Sequence, residues 1–259
     1  MKVNLFLSFL VLILFQYCFN NSPSKKGSKS IDHLQWSSLL SKYVDDDGMV
    51  DYTGFQNDSI ALNLYLKSLR TNPPDEQTWS KKEQIAYWIN AYNAFTIKLI
   101  LDHYPLKSIK DIGSVIQIPF VNSPWDIRFI EINGEKIDLN TIEHGILRKK
   151  FDEPRIHFAI NCASFSCPKL RKEAYAADQL DRQLQEQAIN FINDPQRNLI
   201  KTDEISVSKI FSWFKGDFTK NGSFIDFLNL YSKEPIEENA SISYLDYNWL
   251  LNEKQEVKH

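Results

Sequence analysis

RIHFAINCASFSCPKL, residues 155–170, is the stretch on which the reading of this chain turns. Ile156, Phe158 and Ile160 alternate with His157, Ala159 and Asn161, the period-2 pattern of a short buried strand. The stretch then carries Cys162, Ser164, Ser166 and Cys167 within six residues, and Pro168 closes the loop. A core strand that delivers thiols and hydroxyls to one loop sets reactive groups on a rigid support.

Working outward, residues 80–83 (Ser-Lys-Lys-Glu) form a capping box that starts a helix running to about His103. That helix is apolar nearly all round, so it lies in the core, and Asn90 and Asn93 on one of its faces must find buried partners. Downstream, Asn133-Gly134 joins residues 125–132 to residues 135–139 as a hairpin with a type I′ turn. Asn140 is then the expected cap of a helix over residues 141–151 that carries Glu143, His144, Gly145 and Arg148. On the far side of the cysteine loop, residues 178–193 form an amphipathic helix stopped by Pro195. Residues 199–202 and 205–207 pair as a hairpin, residues 210–218 are dense in aromatics, residues 224–231 form a last helix, and residues 242–244 a strand.

Toward the N-terminus, Trp36, Leu39, Leu40 and Tyr43 share one helical face, and Leu62, Tyr65, Leu66 and Leu69 another. Between them Asp45-Asp46-Asp47-Gly48 resembles a calcium loop, but its glycine comes too early and no Glu stands at the twelfth position, so it reads as a turn. Residues 115–121 have strand character. Helices and strands are segregated without βαβ alternation. The expected fold is therefore α+β, a mainly helical single domain with a small antiparallel sheet and a papain-like layout.

The 259 residues suffice for one sizeable core. A formal charge of −3 gives no electrostatic basis for nucleic-acid binding, and neither a basic stripe nor a Gly-rich phosphate loop is present. Lys2 followed by the apolar run 3–15 reads as an export signal, too short to span a bilayer. Cys18 follows it where a lipoprotein would be lipidated, although Tyr17 is bulky for the residue before the cleavage site. The expected organisation is a signal over residues 1–18, a flexible linker over 19–30, one globular domain over 31–251 and a disordered tail over 252–259. The expected location is the periplasm or outer cell envelope, with the membrane met only through the N-terminal anchor. In such an oxidising compartment Cys162 and Cys167 are natural disulfide partners.

Three stretches together resemble the uncharacterised family catalogued as domain of unknown function 547: YWINAYN at residues 87–93, IEHGILR at 142–148, and RIHF at 155–158 running through Asn161-Cys162 to Ser166-Cys167-Pro168. The resemblance is firm over roughly residues 75–200 and looser on the flanks. It implies a fold and a cluster of site residues, and it supplies no activity.

The residues themselves allow a thiol-dependent hydrolase or acyl transferase acting on amides or esters. Cys162 is its nucleophile, His144 (or His157) takes the thiol proton, and Glu143 or Asn93 orients the imidazole. Asn161, Ser164 and Ser166 are candidates to stabilise an oxyanion, and Arg148 to hold a substrate carboxylate. Each role has a plainer counterpart. Glu143 stands where a capping carboxylate belongs, His157 suits a hydrogen-bonded core imidazole, and Asn90 and Asn93 suit backbone bracing. Cys162 and Cys167 also suit a disulfide in a non-catalytic envelope binding or structural domain, since a turn can bring their Cα atoms within about 7 Å. Zinc on the same cysteines with a histidine is a third option, weakened by the lack of a second close ligand pair. No other cofactor is expected, and the partner is a small-molecule or peptide substrate.

Overall fold

A computed structural model describes residues 22–118 and 120–255. Cys18 and the apolar run before it lie outside the described residues, as do residues 256–259. Helices α1 (Leu34–Tyr43), α2 (Tyr52–Asn57) and α3 (Ser59–Thr71) pack on one another, and α2 and α3 pack against α4 (Lys81–Leu101). The capping box at Ser80 and Glu83 starts α4 as its sequence requires. Nearly every residue of α4 from Gln84 to Ile100 is buried, so the helix is the axis of the main apolar cluster. Among the described residues no helix is long and apolar enough to cross a membrane.

Strands β1 (Ile130–Ile132) and β2 (Glu135–Ile137) form the expected hairpin. Asn133 and Gly134 both take positive φ, at 50° and 81°, as a type I′ turn demands. The sheet formed by β3 (Leu199–Ile200), β4 (Glu204–Val207) and β5 (Ser241–Tyr244) is mixed: β3–β4 is antiparallel, while β4 and β5 run parallel. A parallel pair needs a crossover. Here it is made by three short helices, α6 (Lys209–Trp213), α7 (Lys215–Phe218) and α8 (Phe224–Asn229), which follow the amphipathic α5 (Leu180–Ile192). Their phenylalanines, with Phe158 and Phe191, build a second apolar cluster. The result is an α+β fold, mainly helical with small sheets.

Residues 155–161 are not a strand. Pro154–Phe158 is a 3₁₀ helix started by Pro154 in its first turn, with the Glu153 carboxylate accepting from the Arg155 N–H. The alternation of Ile156, Phe158 and Ile160 does not sort an inner from an outer face, because residues 156–161 are all buried. Ile156 belongs to the main cluster and Phe158 to the second, so this turn stitches the two together. Among the described residues, the strand-like stretch at 115–118 and 120–121 likewise pairs with no strand. The side chains of Gln117 and Asn122 take up their local backbone groups, and Val115, Ile116, Phe120 and Val121 stay exposed.

The Asp45–Gly48 segment is a turn: Asp45 Oδ1 accepts from the N–H groups of Asp47 and Met49, and Gly48 takes φ 75°. Residues 22–30, read from sequence as a linker, lie along the body. Ser22 bonds Glu76, the Gly27 N–H donates to Asp75 Oδ2 at 2.7 Å, and Trp79 Nε1 donates to the Ser28 carbonyl at 2.9 Å.

Candidate functional site

Two buried amides on α4 hold the central loop. Asn90 exchanges two hydrogen bonds with the Tyr175 backbone, at 2.8 and 2.9 Å. Asn93 donates to the Ala159 carbonyl at 3.0 Å and accepts from the Asn161 N–H at 2.8 Å. Both asparagines therefore bond backbone and orient no histidine. Asn161 in turn donates to the Pro168 carbonyl and accepts from the Ala163 N–H, each at 2.8 Å, and thereby closes the loop on itself. Ala163 sits at φ 60°, a left-handed geometry that side chains seldom adopt and that this bracing maintains. Ser166 Oγ accepts from the Asn248 N–H at 2.9 Å, which leaves it bracing the loop as well.

Cys162 and Cys167 are joined as a disulfide, with Cα atoms 6.3 Å apart. Cys167 is buried and Cys162 half-buried. The Tyr247 hydroxyl lies 3.3 Å from each sulfur and 2.8 Å from Ser164 Oγ, while Ser164 Oγ is 3.2 Å from Cys162 Sγ. Burial raises the Tyr247 pKa, so the phenol keeps its proton and serves as a donor. Arg197 clamps the loop from behind, donating to the carbonyls of Cys167 at 2.8 Å and Phe165 at 2.7 Å.

The helix expected after Asn140 starts at Leu139, with Asn140 already inside it, becomes π-helical over Thr141–Leu147 and continues as α over Arg148–Lys150. Asp138, just before it, caps the helix by accepting from the Thr141 N–H at 2.7 Å, so neither Asn140 nor Glu143 caps it. π segments are rare and concentrate at functional sites. Glu143 points inward, bonded to Tyr92, and burial raises its pKa to about 7. His144 departs from it, its ring 5.1 Å from that of Phe120.

His144 Nδ1 lies 2.9 Å from Arg148 Nη1. A guanidinium only donates, so Nδ1 accepts and the ring proton sits on Nε2. Burial, reinforced by the Arg148 charge, lowers the His144 pKa to about 4, and the imidazole is neutral. Asp217 Oδ2 accepts from Arg148 Nε at 2.6 Å and from His157 Nε2 at 2.8 Å. His157 is stacked on Phe214 at 4.0 Å between ring centres. Its Nδ1 has no hydrogen-bond partner among the described residues and stands 4.0 Å from Glu143 Oε1. Burial lowers the His157 pKa as well.

Two groups of the candidate residues thus come together. The disulfide, Ser164 and Tyr247 make one, and Glu143, His157, Asp217, Arg148 and His144 make the other. Glu143 lies close enough to Tyr247 to raise its pKa electrostatically. Among the described residues no hydrogen bond joins Cys162 to His144 or His157, and no cluster of three His, Cys, Asp or Glu is placed to hold a metal ion. Sequence reading missed Tyr247, Asp217 and Arg197. Asp217 alone left a trace, as the one acid in the aromatic run 211–218.

Fold and site together define an α+β domain whose central cysteine loop is held by buried amides beside a desolvated carboxylate–imidazole cluster. Residues 76–192 match the family described as "Protein of unknown function, DUF547". No curated protein and no solved structure matches the chain.

Proposed function

We propose that this is an exported cell-envelope domain that binds a small-molecule or peptide ligand and does no thiol chemistry while Cys162 and Cys167 are bridged. The observation that carries this is the bond between the two sulfurs: the candidate nucleophile has no thiol proton to give and no thiolate to attack with. A disulfide agrees with the export signal read from Lys2 and the apolar run after it, since bridges persist in oxidising compartments.

A second reading has its own support. Glu143, with a pKa of about 7 inside a π-helical segment, is poised as an acid–base group, and Tyr247 spans from its neighbourhood to Cys162. Reduction of the bridge would supply the thiol that a hydrolase or acyl transferase of papain-like layout needs. Intact mass after alkylation separates the two. The bridged binding domain takes up no alkyl group at either cysteine until a reductant is added, and then takes up one at each. Alkylation of Cys162 at pH 6 without reductant, slowed by His144→Ala, overturns the binding reading in favour of the hydrolase.

A further inference from the structure

Away from the disulfide, a cleft of about 570 Å³ is lined by residues that include Lys25, Lys67, Arg70, Phe129, Glu131 and Asn133. That volume falls in the range of small-molecule sites. Its walls are pinned together. Asn133 in the hairpin turn donates its N–H to the Arg70 carbonyl at 2.9 Å and its side-chain amide to the Ser24 carbonyl at 2.8 Å. Lys25 Nζ donates to the Thr71 carbonyl at 2.9 Å. The N-terminal segment, the end of α3 and the β1–β2 hairpin are thus fixed around one opening.

Arg70 is the informative residue. The chain has seven arginines, and the other six each have a carboxylate within 4 Å. Arg70 has none among the described residues. Its Nε is buried without a hydrogen-bond partner, and the guanidinium is half-buried, 5.5 Å from the centre of the Phe95 ring. A desolvated guanidinium is costly unless paired, and its planar fork suits carboxylate or phosphate oxygens. Lys67 stands three residues before it on the same helical face, exposed and with no ion-pair partner among the described residues. Three cations against Glu131 favour a ligand with more than one negative charge, and Phe129 offers an apolar wall for the rest of it.

We propose that this cleft binds a phosphate monoester, with Arg70 and Lys67 holding the phosphate and Lys25 closing the rim. The same chemistry could be presented by a soluble ester or by the head group of phosphatidic acid. The purified protein is titrated calorimetrically with inorganic phosphate and with glucose 6-phosphate, and tested for sedimentation with phosphatidylcholine vesicles with and without phosphatidic acid. Binding should weaken with rising salt, and Lys67→Ala and Arg70→Gln should each weaken it about tenfold or more, as loss of a charge-assisted hydrogen bond predicts. Lys67 is exposed, so its variant reports on binding even if Arg70→Gln impairs folding. Binding of glucose 6-phosphate assigns a soluble ester, and binding to phosphatidic acid vesicles alone assigns a head group. Absence of binding to all of these, or binding unchanged in Lys67→Ala, overturns the proposal.

Discussion

Replacing Asn93 by Leu tests how the cysteine loop is held. The amide is 3% exposed, and its two bonds satisfy the Ala159 carbonyl and the Asn161 N–H, just before Cys162. Leucine fits a similar volume but can make neither bond. Each of the two stranded buried backbone groups costs roughly 1–3 kcal/mol, and the added apolar burial returns about 1 kcal/mol, so the net loss should be about 1–5 kcal/mol. For a chain of this size that corresponds to a fall in Tm of roughly 2–20 °C. Guanidinium denaturation followed by tryptophan fluorescence, without reductant so that the bridge stays closed, reads the change as a shift in midpoint at constant slope. The freed loop should also expose its sulfurs, and the variant's bridge should be reduced faster by dithiothreitol. A midpoint within error of the parent, with unchanged reduction kinetics, would refute the bracing role of Asn93.

Three further predictions concern Glu143, Asp217 and Cys18. Glu143 has its folded pKa raised to about 7 from the ordinary 4.5, so the folded state holds the proton more tightly. Its contribution to stability is present below pH 4.5 and lost as pH rises to 7, and the total is about 3 kcal/mol. Glu143→Gln should therefore flatten the pH dependence across that window, and a parallel curve for parent and variant would show the carboxyl to be solvated. Asp217→Asn leaves the buried His157 and the half-buried Arg148 without their shared carboxylate and should cost about 3 kcal/mol in the same denaturation assay, whereas a loss under 1 kcal/mol would mark the cluster as solvent-screened. For the lipid anchor expected from the sequence at Cys18, palmitate labelling of the expressed protein should vanish in Cys18→Ala, and labelling that persists in the variant rules the anchor out.

Local chemistry made much of this fold legible. The capping box at Ser80, the Asn133-Gly134 turn and the apolar faces of α1, α3 and α5 each act over a few residues, and sequence shows them directly. The loop at residues 155–161 misled because alternation signals a strand only when one face meets water or a different layer. Here both faces are buried, and the side chains of Asn93 and Gln187 take backbone groups that a sheet would otherwise pair. The π segment has no composition signature, since it differs from an α-helix only in which carbonyl each N–H reaches. Glu143 and His144 were visible as adjacent polar residues, but Asp217 and Tyr247, which couple to them electrostatically, arrive from more than 70 residues away, across a crossover that sequence does not register.

The ordered N-terminal segment sets a short leash. Ser22 is fastened to Glu76 and Lys150, so only three residues separate that fastening from Cys18. Four peptide steps, fully extended, reach at most about 14 Å. Whatever holds Cys18 therefore holds the Ser22 corner of the domain within about 14 Å of itself. On a membrane that corner of the domain would then stay at the lipid surface, free to rock but not to roam.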